Sequence, residues 1–172
     1  GRYDMVSCDR SHQEACFRLA PGASVPYGSV ELLKTYRLKK NVLSVSYVLT
    51  NQGTSPERFN FIPQIDLSLA GDGIARQRIS VLSNQVRGEV ALETQELRSL
   101  DELCIEDLEN EVPLSLTSNL PFDLWLQPIR TRCRIDGATV DEYQSTCLMP
   151  IKSLILAPGE SWETQFTLKI GR

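Results

Sequence analysis

Apolar and polar residues alternate with a period of two along much of this chain. Val42–Thr50 shows it best: Leu43, Val45, Tyr47 and Leu49 alternate with Ser44, Ser46, Val48 and Thr50. That period belongs to a β-strand with one face packed and one wetter. Arg58–Leu69 repeats the pattern, with Phe59, Phe61, Ile65, Leu67 and Leu69 on one face. Asn60, Ile62, Gln64, Asp66 and Ser68 fall on the other. Pro63 inside this stretch implies an edge position or a bulge. Asn51-Gln52-Gly53-Thr54-Ser55-Pro56 between the two strands is turn chemistry.

The same reading predicts strands over Glu14–Ala20, Ser29–Lys39, Arg78–Leu82 and Gly88–Leu92. Val30, Leu32, Tyr36 and Leu38 share a face that Lys34 interrupts. Glu93–Leu103 is the only predicted helix, from Leu97, Leu100 and Leu103 at a spacing of three in a Glu- and Leu-rich stretch. Cys104–Leu108 and Val112–Thr117 follow as a hairpin around Glu109-Asn110-Glu111. Pro121–Leu126, Pro128–Ile135, Glu142–Met149, Lys152–Leu156 and Trp162–Ile170 complete the set. Turns are expected at Pro21-Gly22, Lys39-Lys40-Asn41, Gly71-Asp72-Gly73, Asp136-Gly137 and Pro158-Gly159. About a dozen short strands with at most one short helix predict a single all-β domain, an antiparallel β-sandwich over residues 1–172.

Pro121–Leu126 presents Phe122, Leu124 and Leu126 on one face. Asp123, Trp125 and Gln127 lie on the other, an unusual place for a large aromatic. An aromatic ring beside a carboxylate and a carboxamide suits a sugar, whose C–H face stacks while its hydroxyls take hydrogen bonds. The competing reading is that Trp125 packs under a loop or against another domain.

Composition narrows the function. With 172 residues, 41% hydrophobic and 23% charged, the chain can bury a real core. A net charge of −4 argues against nucleic acid, which needs clustered Lys and Arg. No apolar run approaches the ~20 residues of a membrane span. The opening Gly1-Arg2-Tyr3-Asp4 does not begin a signal peptide. Cys8, Cys16, Cys104, Cys133 and Cys147 are odd in number and follow no CxxC spacing. They read as reduced, buried, structural thiols of a cytoplasmic protein rather than zinc ligands or disulfides. His12, the only histidine, sits in a polar segment and reads as a surface residue, so no Ser-His-Asp or Cys-His arrangement is expected. Asp66 and Asp72 fall short of the six to eight oxygen ligands calcium takes. No metal and no cofactor are expected.

Longer motifs add a resemblance. Leu124-Trp125-Leu126-Gln127-Pro128-Ile129-Arg130-Thr131, followed by Glu142-Tyr143-Gln144-Ser145, is similar to a Leu-Trp-x-x-Pro-Ile-x-Thr…Glu-x-x-Tyr-Gln-Gly pattern. Val45-Ser46-Tyr47-Val48-Leu49-Thr50-Asn51, Gln64-Ile65-Asp66-Leu67-Ser68-Leu69 and Leu156-Ala157-Pro158-Gly159-Glu160 also fit. On these motifs the chain resembles the C-terminal β-sandwich of family 57 glycoside hydrolases, the α-amylase and 4-α-glucanotransferase group, over most of Lys34–Ile170. Ser145 stands where the pattern has Gly, and Gln64 where it has an acid.

The resemblance implies a galactose-mutarotase-like supersandwich. It also implies an upstream barrel carrying a retaining pair of carboxylates ~5 Å apart. This chain would be the non-catalytic C-terminal fragment of that larger enzyme, supporting the barrel and contacting α-glucan oligosaccharide. The expected sugar contacts are Gln64, Asp66, Asp123, Trp125, Gln127, Tyr143 and Gln144, with no catalytic residue among them. The alternatives are a stand-alone sugar epimerase-like enzyme and a carbohydrate- or protein-binding module.

Overall fold

The computed structural model describes residues 3–22, 28–68, 76–135 and 137–171. They form strands β1 (Asp4–Asp9), β2 (Glu14–Leu19), β3 (Val30–Lys39), β4 (Val42–Asn51), β5 (Glu57–Phe61) and β6 (Ile65–Leu67). Then come β7 (Gln77–Ser83), β8 (Val86–Val90), β9 (Gln95–Asp107), β10 (Val112–Ile135), β11 (Ala138–Leu156) and β12 (Ser161–Ile170). The fold is all-β, as the alternation predicts, and no α-helix occurs among the described residues.

Two compact units share the chain. The first holds residues 1–61, 117–120 and 153–169, and the second holds 62–116, 121–152 and 170–172. In the first, β1, β2, β3, β4 and β12 pair in that order, all antiparallel. Cross-strand partners share a face. Leu32, Leu49 and Trp162 therefore line up, as do Lys34, Tyr47 and Thr164. Lys34 interrupts an apolar face yet sits 4.8 Å from the Tyr36 ring centre and 5.4 Å from that of Tyr47. Its ammonium is thus held by ring quadrupoles. Tyr47 meets Phe61 edge-on at 5.0 Å, and Phe61 meets Trp162 at 5.6 Å.

In the second unit β9, β7 and β8 pair antiparallel, and β10 pairs β11, which also pairs β6. Leu103, Ile105, Leu116, Leu124, Leu126 and Leu148 are buried there.

Several expectations need correction. Glu93–Leu103 is not a helix, for β9 covers its residues from Gln95 onward as strand. Ser99 lies in the left-handed region (φ 53°). One such residue shifts which face the next side chains take. Leu97 and Leu100 therefore stand three apart across it without a helical turn. Arg58–Leu69 is two strands, broken at Ile62–Gln64 around buried Pro63, and Leu69 lies outside the described residues. The four separate strands expected over Pro121–Leu156 are two long ones, β10 and β11, which run through Pro121, Pro128 and Pro150. Gly71-Asp72-Gly73 and Asp136 lie outside the described residues. Of the thiols expected to be buried, only Cys147 is; Cys16, Cys104 and Cys133 are half-buried and Cys8 is exposed.

Asn51 closes β4 and is fully buried. Its Nδ2 donates to the carbonyls of Ser55 (2.8 Å) and Leu156 (3.0 Å), and its Oδ1 accepts from the Gly53 N–H (2.9 Å). Its backbone joins Gly159 and Glu160. A Cβ on Gly53 would come within 2.7 Å of the Ser29 Cβ, so this turn requires glycine. Asn51→Ala strands three backbone groups, all at least partly buried. Urea unfolding should show a loss of about 3 kcal/mol or more, at roughly 1–3 kcal/mol per unpaired group. A loss below about 1 kcal/mol would contradict that role.

Candidate functional site

The face carrying Trp125 is built by three strands of the second unit. Asp123 pairs with Ile151, Trp125 with Met149, and Gln127 with Cys147. Cys147 in turn pairs with Asp66. Asp66, Cys147 and Gln127 thus form one cross-strand row, and Trp125 and Asp123 continue the same face. Trp125 is 44% exposed, whereas Leu124 and Leu126 beside it are buried. The strand's alternation leaves the indole available on the wet side.

Trp125, Gln127 and Met149 line a hollow of about 270 Å³ with Thr94, Gln95, Glu96 and Leu126. Thr94, Gln95, Glu96 and Met149 are not among the residues the sequence singled out. The helical reading of Glu93–Leu103 hid the first three. Met149 could have been found from its alternation with Cys147 on β11.

The carboxylates around this face are engaged. Asp123 accepts the Ser99 N–H at 2.9 Å, fixing the irregular point of β9. Asp66 accepts from Gln64 at 2.8 Å, and Glu96 pairs with Arg98 at 2.9 Å. Burial first, and then the facing Asp66 carboxylate, push the Cys147 thiol up to about 11. It stays protonated near neutral pH and is a poor nucleophile.

Two expected members lie apart. The register shifts between Ile129 and Arg130, whose partners are Ser145 and Tyr143. Gln144 is the extra residue of this bulge, and its carbonyl accepts from Ser68 Oγ at 3.1 Å. Tyr143 Oη lies 2.6 Å from Thr146 Oγ1. Thr146 neighbours Cys147 and points to the opposite, buried side. The Tyr143 hydroxyl is therefore directed away from Trp125.

His12 is exposed. Its Nδ1 lies 2.6 Å from Asp9 Oδ2 and 3.2 Å from Ser11 Oγ. A Ser-His-Asp relay needs opposite ring nitrogens for the two partners. Here both use one, so the cluster is a turn and not a relay. No group of three His, Cys, Asp or Glu suited to a metal occurs among the described residues. No helix among them is long and apolar enough to cross a membrane.

A family model for the C-terminal region of α-amylase/4-α-glucanotransferase matches residues 5–166. The chain belongs to this family. Solved structures agree on the fold. A galactose mutarotase related enzyme from Lactobacillus acidophilus has a TM-score of 0.69 at 13% identity, covering 100% of this chain and 72% of that one. A galactose mutarotase-like protein from Clostridium acetobutylicum gives 0.66 at 10% identity, covering 99% and 67%. The 4-α-glucanotransferase of Thermococcus litoralis gives 0.69 at 13% identity, over 99% of this chain but 22% of that one. No curated protein matches.

Two outcomes test these local assignments. Asp123→Ala should cost about 1–2 kcal/mol in urea unfolding by freeing the Ser99 N–H, and Asp123→Asn should cost less because it keeps an acceptor. Hydrogen bonds from Ser11 and His12 hold the Asp9 carboxyl down at about 2, from an ordinary 3.8. Its contribution to stability is present above 3.8 and lost as pH falls through about 2. An NMR titration of Asp9 should show that midpoint, and His12→Ala or Ser11→Ala should raise it.

Proposed function

We propose that this chain is a non-catalytic accessory domain of an α-glucan-acting enzyme of the α-amylase/4-α-glucanotransferase type. It supports an upstream catalytic barrel of the same polypeptide and offers oligosaccharide a contact surface. The family match over residues 5–166 carries this reading. The exposed Trp125 beside Gln127 supports the contact surface, since an aromatic plane next to a carboxamide suits a polyol. The carboxylates near it are already engaged, which suits binding rather than acid–base chemistry. The odd number of cysteines suits a reducing compartment, and the parent enzyme is taken to work in the cytoplasm.

Calorimetric titration with maltohexaose and with a β-linked cello-oligosaccharide tests the contact. Binding of the α-linked sugar alone, at about millimolar Kd, is expected. No heat with either sugar would remove the glucan-contact role. Turnover of maltohexaose by the chain alone would overturn the non-catalytic assignment.

A further inference from the structure

We infer that the hollow at Trp125 is a subsite for one neutral pyranose ring of a glucan chain, an inference that rests on the glucan reading above. Its volume of about 270 Å³ falls below the roughly 300–1,000 Å³ of ordinary small-molecule pockets, which favours a single ring over a run of several. Trp125 and Met149 are cross-strand partners on one face and form an apolar floor to the hollow. Such a floor takes the C–H side of a sugar ring.

The rim is amide and hydroxyl. Gln95 Nε2 donates to the Ala91 carbonyl at 2.5 Å. That bond orients the carboxamide and leaves Oε1 as an acceptor for a sugar hydroxyl. Gln127 adds both a donor and an acceptor, and Thr94 adds a hydroxyl. Glu96, the only charged lining residue, is compensated by Arg98. This balance favours a neutral polyol over an anion or a cation. Gln95 thereby becomes a sugar contact that the pattern of one strand could not disclose.

The experiment uses the Trp162→Phe variant, so that Trp125 is the only indole. Its fluorescence is titrated with glucose, maltose and maltohexaose, and amide chemical shifts are followed in parallel. Maltose and maltohexaose should bind within about threefold of each other, with shifts centred on Gln95, Trp125 and Met149. Gln95→Ala should weaken binding about tenfold, the value of one lost hydrogen bond. Trp125→Phe should retain part of the affinity, and Trp125→Ala should abolish it. Affinity that climbs more than about tenfold from maltose to maltohexaose would overturn the one-ring subsite. So would glucan binding with shifts elsewhere and no effect of Gln95→Ala; the glucan reading would then survive. Absence of binding by every sugar would end both.

Discussion

A buried carboxamide holds the first unit's connections in register. Asn51 ends β4, yet its side chain satisfies the turn at Gly53 and Ser55 and the last residue of β11, while its backbone reaches the turn into β12. The Leu156 carbonyl, on a buried residue, would otherwise be an unpaired peptide group away from water, which is costly. Asn suits the task because one planar amide presents donors and an acceptor together. Gly53 belongs to the same device, because the close approach of Ser29 leaves no room for a Cβ.

Irregularities in otherwise regular strands shape the candidate site. Ser99 departs from strand geometry, and Asp123 accepts its N–H. One carboxylate thus reinforces the strand that supplies Gln95 and Glu96 while standing on the face of Trp125. The bulge at Gln144 has the opposite effect. It changes the facing of β11, so that Tyr143 reaches Thr146 instead of the indole.

What the sequence disclosed and concealed follows from these features. Leu43, Val45, Tyr47 and Leu49 lie in an unbroken strand, and their alternation could be read directly. So could the separation of Trp125 from Leu124 and Leu126. Leu97 and Leu100 could not, because a left-handed Ser99 between them imitates helical spacing. Pro121, Pro128 and Pro150 looked like strand ends but lie within long strands. Met149 could be read from its alternation with Cys147, but the contribution of Gln95 depends on which strands become neighbours. The pattern within β9 shows which of its residues share a face but not which strand lies beside it.

Beyond the Gln144 bulge, β10 and β11 continue as a ribbon in which Arg130, Arg132 and Arg134 face solvent, as do Thr139, Asp141 and Glu142. Among its described residues only Cys133, Val140 and Tyr143 are half-buried, so this two-stranded ribbon has little burial of its own. Its opening and closing are therefore local events, separable from the unfolding of the strands below. The bulge thus divides β10 and β11 into a largely exposed part and a part whose register sets Trp125, Gln127, Met149 and Cys147 on one face.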